Sequence, residues 1–257
     1  MIEENSWRTR LSNVVCAIRL FRNWPLFILK YIRAPEKPAA FDLRNGLRLT
    51  LRPGTSDFRI VREILVWGEY EPPGFEIGPD FTVVDIGAQI GVFTVNAGRK
   101  ALRGRIISFE PHPDNFALLK QNIDANVLRR ASPYNRAVAD KAGTLTFFVS
   151  SFNTGGHSIM PSEGRDHSLK VEAIRLDDIL RDEGVAEIDY MKIDCEGAEV
   201  QILRGLSDET LRRIRRIVME VHAEVDTTDA GLAGWLRQRG FSVESDGNMV
   251  YARRSQG

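Results

Sequence analysis

The chain has 257 residues, with 35 basic and 35 acidic side chains and a formal net charge of zero. That length can bury one sizeable core, and the charge balance argues against an extended nucleic-acid footprint, which needs a basic excess. Its two cysteines, Cys16 and Cys195, lie far apart in sequence, which points to free thiols in a reducing compartment and so to the cytoplasm.

At the N-terminus, Trp7, Leu11, Val14, Val15, Ile18 and Phe21 recur at helical spacing with Arg8, Arg19 and Arg22 among them, which predicts an amphipathic helix. Pro25 opens a second apolar piece, and Arg33, Pro35 and Pro38 end it. Together the two are long enough to span a bilayer, but Arg19 and Arg22 would each cost about 2.5 to 3.5 kcal/mol near its centre, so no span is predicted. Glu3, Glu4 and the lack of a small-residue cleavage site argue against a signal peptide. Two readings stay open: packing on the domain or a partner subunit, and interfacial attachment to the inner face of a membrane. Residues 1–40 read as a helical extension, 41–78 as a hairpin and helix lead-in, and 79–257 as the core.

Phe41 and Leu43 alternate with polar residues before Asn45-Gly46, and Leu47, Leu49 and Leu51 alternate after it, which predicts a β-hairpin. The next segment, Ser56 to Tyr70, reads as a helix capped by Thr55 or Ser56, with Ile60, Val61, Ile64 and Leu65 on one face. The stretch VVDIGAQIGVFTV, Val83 to Val95, then reads as a buried strand, a glycine-rich turn and a helix start. Gly87 permits a sharp exit from the strand; Gly91 lets the helix pack closely and leaves backbone N–H groups facing a ligand, with Ala88 beside them. A dinucleotide fingerprint would be G-x-G-x-x-G. Here the pattern is Asp85, Gly87, Gly91, without the middle glycine and with an acid where a diphosphate would be repelled. Asp85 suits a cationic amino group, such as the methionine end of S-adenosylmethionine. One βα unit later, Glu110 ends the strand of Ile106, Ile107 and Phe109, followed by Pro111. A carboxylate there can accept both hydroxyls of a ribose, each bond contributing roughly 1.5 to 3 kcal/mol.

Pro111 and Pro113 start a helix with Phe116, Leu119 and Ile123 toward the sheet; Asn115 and Asn122 read as polar residues near the nucleoside or as solvated positions. TLTFFV and LKVEAIRL are strand-like and are separated by a long polar loop, Ser150 to His167, which we read as a mobile acceptor-binding loop with Asn153 and His157 as candidate sugar contacts or as solvated residues. In YMKIDCEGAE, Met191 and Ile193 fill a strand and Asp194, Glu196 and Gly197 emerge at its carboxyl end. RIVMEVH gives the next strand, ending in Glu220 and His222 on the same rim. Asp194, Glu196, Glu220 and His222 are thereby predicted to converge, although each could instead cap a helix or bind a loop backbone. Leu232, Trp235 and Leu236 mark a helix ended by Gly240, and the last segment turns at Asp246-Gly247 as a hairpin.

The segments VVDIGAQIGVFT, SFEPHPDNFALLKQN, NRAVADKAGTLTFF, RLDDIL, YMKIDCEGAEVQILRG and VMEVH resemble, in order, the FkbM-type methyltransferases of the class I S-adenosylmethionine-dependent fold. Gln89 stands where that family often has Asn, and Cys195 where it often has Val. The resemblance implies an α/β, Rossmann-like fold: a seven-stranded, mostly parallel sheet with helices on both faces, carrying the N-terminal helical extension and β-hairpin, with 41–257 as the methyltransferase domain. It places Asn135 and Ala137 beside the adenine, puts Asp57, Glu69 and Tyr70 either on the pocket or in capping and surface roles, and makes Asp177 the cap of the L-D-D-L helix. It also implies a sugar hydroxyl of a glycan or secondary metabolite as acceptor.

The chemistry expected is in-line displacement of a methyl group from a sulfonium by an acceptor oxygen, where orientation alone can lower the barrier by roughly 7 to 11 kcal/mol. His222 is the first choice for the base, since imidazole titrates near pH 6.5, and Asp194 is the second or orients the acceptor. The carboxylates and histidine could also hold Mg²⁺, though their spacing does not demand a metal and none is assigned. DCEG lacks the N/D-P-P-Y/F turn of many amino-group methyltransferases, which favours a hydroxyl acceptor. The competing readings are a non-catalytic S-adenosylmethionine-binding module and a nicotinamide-dependent oxidoreductase; the sequence leaves the oligomeric state open.

Overall fold

The computed structural model describes residues 7–33, 37–149, 167–222 and 231–255. The extension forms two helices, α1 (Trp7–Leu20) and α2 (Trp24–Arg33), followed by the predicted hairpin of β1 (Ala39–Asp42) and β2 (Arg48–Leu51). Ala17, Phe21 and Phe27 turn inward against Phe41 and Phe58, and the Phe27 and Phe58 ring centroids lie 4.5 Å apart. No helix among the described residues is long and apolar enough to cross a membrane. Both cysteines are free.

Helix α3 (Asp57–Arg62) begins where Thr55 Oγ1 accepts the Asp57 N–H at 3.3 Å. It continues as a π-helical turn, Glu63–Trp67, and stops short of the predicted end because Gly68 takes a left-handed φ of 67°. The predicted apolar face packs on the aromatic cluster: Val61 and Ile64 lie inside it with Phe58, and Ile60 and Leu65 pack against it; Ile60 and Ile64 also line a cavity.

The core continues through β3 (Thr82–Ile86), α4 (Val92–Lys100), β4 (Arg105–Phe109), α5 (Pro113–Ala125) and β5 (Ala131–Tyr134). A side sheet follows, of β6 (Ala137–Val138), β7 (Gly143–Val149) and β8 (His167–Ile174), in which β8 lies between the other two. The loop read as acceptor-binding, with Asn153 and His157, lies outside the described residues. Next come α6 (Leu176–Asp182), β9 (Tyr190–Ile193), α7 (Glu199–Gly205), α8 (Asp208–Arg213), β10 (Arg216–Glu220), α9 (Leu232–Arg237), β11 (Phe241–Asp246) and β12 (Met249–Arg254).

Seven of these strands form the main sheet in the order β11-β12-β10-β9-β3-β4-β5, with only β12 antiparallel to its neighbours. This is the expected class I methyltransferase sheet. Central β3 is buried on both faces, as its β-branched run requires. Val84 and Ile86 pack with residues of α6, α7 and α9, and Val83 packs with α4 and the N-terminal aromatics.

Asn122 and Asp177 have roles other than those expected from sequence. Asn122 is fully buried on α5 and grips the edge of β2: Thr50 N donates to its Oδ1 at 2.6 Å and its Nδ2 donates to Thr50 O at 3.2 Å. Asn126 repeats the grip on Arg48, at 2.9 and 2.7 Å. Asn115 is also buried and accepts from Arg52 at 2.8 Å, while lining the cavity beside Glu110. Asp177 lies inside α6 rather than before it, and its carboxylate accepts from the Ser207 hydroxyl at 3.0 Å and from Thr210, tying α6 to the start of α8.

Candidate active site

At the carboxyl ends of β3, β4, β9 and β10, the main sheet opens into a cavity of about 330 Å³, within the range of small-molecule sites. Its floor is the glycine turn. Gly87 has φ 79°, and a Cβ there would stand 1.7 Å from Asp194 O, so the two strand ends touch backbone to backbone. Gln89, with φ 53°, occupies the same turn in a left-handed conformation uncommon for a residue with a side chain. Its side chain holds it there: Nε2 donates to Asp57 Oδ1 at 2.9 Å and Oε1 accepts the Ile90 N–H at 2.6 Å. Asp57 is buried and ion-paired with Arg52 at 2.9 Å, a structural role rather than a surface one.

Glu110 follows β4 and faces the same cavity. Its Oε2 accepts the Gln89 N–H and its Oε1 the His112 N–H, both at 2.8 Å, and it lines the cavity beside Ala88, Pro111 and Ala137. Burial pushes its carboxyl up to about 7, against the two backbone N–H groups and Lys192. The side chain is aimed and partly protonated near neutrality. Two hydroxyls arriving at its remaining lone pairs would favour the carboxylate, so the residues fit the adenosyl part of S-adenosylmethionine.

Asp85, Gly91 and Asn135 do not line the cavity. Asp85 is fully buried: Thr94 Oγ1 donates to its Oδ2 at 2.6 Å, and Lys192 Nζ stands 3.3 Å from its Oδ1. Its charge meets a protein ammonium in place of the expected amino group of a ligand. A Cβ on Gly91 would lie 2.4 Å from Leu119 Cδ1, so this glycine admits α5. Asn135 clips the chain after β4, donating to Glu110 O at 2.8 Å and Pro111 O at 3.0 Å.

The opposite wall holds the predicted cluster. His222 Nε2 lies 3.3 Å from Glu220 and 3.9 Å from Glu196, and its Nδ1 lies 3.1 Å from Glu199 and 3.9 Å from Asp194. Burial alone would lower the imidazole pKa, but the hydrogen bonds to Glu199 and Glu220 and the charges of Asp194 and Glu196 raise it to about 11. Burial would likewise raise Glu220, yet His222, Tyr70 and Asn248 bring it down to about 2. His222 is therefore an imidazolium at neutral pH and holds no free lone pair for a hydroxyl proton. Asp194 is raised, burial and Glu220 outweighing Lys192 and His222. Glu196 takes a left-handed φ of 56°, and the turn is held by Glu199, which accepts the Cys195 N–H at 3.0 Å and the Gly197 N–H at 2.9 Å.

Three participants, Lys192, Glu199 and Glu63, carried no chemistry in the sequence reading. Lys192, buried on β9, also donates to Gly87 O at 2.8 Å and lies 3.5 Å from Asp194, joining the two strand ends. Glu199 stands inside the quoted KIDCEGAE run, a visible signal. Tyr70 was read as either a pocket or a surface residue; it is buried, and its hydroxyl lies 2.9 Å from Asp194 and 3.0 Å from Glu220. Glu63 lines the cavity from the π-helical turn, its carboxyl raised to about 7 by burial, against Arg59. Glu69 is half-buried and also raised, by burial and then by Glu220. Among the described residues, Asp194, Glu220 and His222 offer one ligand atom each within 4.8 Å of one another, a set that could hold a divalent cation.

Residues 85–243 match the family described as the methyltransferase FkbM domain. The chain is 29% identical over 265 residues to the AMB antimetabolite synthetase AmbE of Pseudomonas aeruginosa, a match covering 84% of this chain but 12% of that protein's length. It is 30% identical over 243 residues to the 31-O-demethyl-FK506 methyltransferase FkbM of Streptomyces tacrolimicus, covering 82% of this chain and 91% of that protein. It is 27% identical over 154 residues to the hexuronic acid methyltransferase AglP of Haloferax volcanii, covering 60% and 61%.

Proposed function

Because the chain belongs to the FkbM methyltransferase family, and so is an S-adenosylmethionine-dependent methyltransferase, we propose that it methylates a hydroxyl group of a sugar in a glycan or secondary metabolite. The nicotinamide reading falls with the family, and the binding-only reading is set aside. The observation that carries the proposal is the wall facing Glu110. Four acids, Glu63, Asp194, Glu196 and Glu220, line the cavity, and a polyol is a ligand that can donate to many acceptors at once. The names of two relatives, one an O-methyl transfer and one a hexuronic acid, support the same reading. We place the reaction in polysaccharide or secondary-metabolite biosynthesis in the cytoplasm, with a small-molecule or glycan acceptor.

S-adenosylmethionine supplies an activated methyl on a sulfonium, a good leaving group. The residues of this chain orient and desolvate. Glu110 fixes the ribose, and the Gly87–Asp194 contact sets the height of the floor. Asp194, at the end of β9 beside that contact, takes the hydroxyl proton as the bond forms, a contribution of typically about 10² to 10⁴. His222, already protonated, cannot accept it and instead holds Glu196, Glu199 and Glu220 in place. We assign no metal, because the charge of His222 and the donors Tyr70 and Asn248 already match these carboxylates.

The test is calorimetric titration with S-adenosylhomocysteine, followed by transfer assays on free sugars and glycosides read by mass spectrometry, with and without a chelator. Binding that Glu110→Gln weakens, with methylation of a hydroxyl compound, supports the proposal. Methylation of amines alone, or loss of activity on chelation restored by Mg²⁺, overturns the hydroxyl or the metal-free assignment respectively.

A further inference from the structure

The face of the α1–α2 pair that points away from the domain carries two apolar stripes. Leu11, Val15 and Ile18 are exposed on α1 at one helical face, and Leu29 and Ile32 on α2; Leu11 is 55% and Ile32 73% accessible. Ala17 of α1, Phe27 of α2 and Phe21 between them enter the same aromatic cluster, and the two helices pack on each other. Trp67, 53% accessible, flanks them: the Arg62 guanidinium stacks over its ring, and Arg62 donates to Asn13 of α1 at 2.7 Å.

The charge on this pair has one sign. Between Trp7 and Arg33 the sequence has Arg8, Arg10, Arg19, Arg22, Lys30 and Arg33 and no acid, although the chain as a whole is neutral. A second copy docked on this face by a two-fold axis would set cations against cations. An anionic lipid surface matches both features, with aliphatic side chains and a tryptophan for the headgroup boundary and basic side chains for the lipid charge.

We infer that the α1–α2 face, with Trp67, docks on an anionic bilayer surface. The π-helical turn that carries Trp67 also carries Glu63 and Ile64 of the cavity wall. The docked protein therefore brings the acceptor pocket next to the headgroups, the place to meet an acceptor carried on a lipid. The docking itself does not depend on which hydroxyl is methylated.

The experiment is co-sedimentation of the full chain with vesicles of phosphatidylcholine alone or with phosphatidylglycerol, at low and physiological salt. We expect binding only to the anionic vesicles and a fall with salt. Each basic side chain near the surface contributes about fivefold in affinity, so Arg19→Glu with Arg22→Glu should weaken binding by more than tenfold. Val15→Asp with Ile18→Asp should do the same while leaving S-adenosylhomocysteine affinity intact, since all four residues are exposed and lie away from the cavity. No binding to anionic vesicles, or equal binding to both kinds, overturns the inference. So does a dimer in solution that Val15→Asp with Ile18→Asp converts to monomer, because the face would then be covered by a second copy.

Discussion

Lys192 Nζ stands 3.3 Å from Asp85 Oδ1, with both side chains buried. The acid of the glycine motif therefore acts through a lysine one strand away. Removing one member of a buried pair leaves an uncompensated charge and costs about 3 to 5 kcal/mol, while replacing both with apolar or neutral groups is often close to neutral. We expect Lys192→Met and Asp85→Asn each to destabilise by about that amount, and the double variant to lose less than the sum. Urea unfolding of the three variants measures the coupling.

Cofactor affinity should depend on pH through Glu110. Its carboxyl sits at about 7 in the free protein, and donation from ribose hydroxyls favours the ionised form. Below pH 7 binding must expel a proton, so S-adenosylhomocysteine affinity should fall by about tenfold per pH unit. Above pH 7 it should level off. Calorimetry from pH 5.5 to 8.5 checks the slope, which Glu110→Gln should abolish.

The glycine turn and Glu110 were legible because β3, the turn and β4 follow one another closely, so spacing fixes geometry. The opposite wall was only half legible. Asp194, Glu196, Glu220 and His222 could be placed at strand ends. The sequence carried no sign that Tyr70 reaches Asp194 across 124 positions and Glu220 across 150. That contact depends on where the π-helical turn ends. Sequence could not weigh His222 as base for a related reason: an unperturbed imidazole pKa ignores four carboxylates gathered from β9, α7 and β10.

Tyr70 has one hydroxyl hydrogen for two carboxylates. Tyr70→Phe leaves Asp194 and Glu220 without a donor between them, and we expect turnover to drop by about 10- to 100-fold as the acceptor wall loses its alignment. S-adenosylhomocysteine affinity should change little, because Glu110 lies on the other wall. Parallel measurement of kcat and cofactor Kd separates the two effects.

His222 should also leave a mark on stability. Its folded pKa of about 11 lies above the ordinary imidazole value near 6.5. The stabilisation it gives is thus fully present below pH 6.5, declines as pH rises, and is lost above about pH 11. Unfolding midpoints for wild type and His222→Gln should be furthest apart at acid to neutral pH and converge in alkali.

A methyl group on Gly87 has nowhere to go, with Asp194 O 1.7 Å away and φ at 79°. Gly87→Ala should prise β3 from β9 and abolish cofactor binding. Gly184→Ala, with nothing within 4 Å though at a φ of 63°, should cost about 1 to 2 kcal/mol in stability and keep binding. Thermal unfolding with and without S-adenosylhomocysteine compares the two.

The paired grip of Asn122 and Asn126 on β2 also constrains the order of assembly. Residues 39–51 leave the ribosome more than 70 residues before the asparagines that close their edge. Until α5 is synthesised, Thr50 and Arg48 present open backbone groups, and Phe21, Phe27 and Phe41 have only part of their shelter. The nascent chain must hold an apolar hairpin in reserve, which is the circumstance in which emerging chains are bound by chaperones or aggregate.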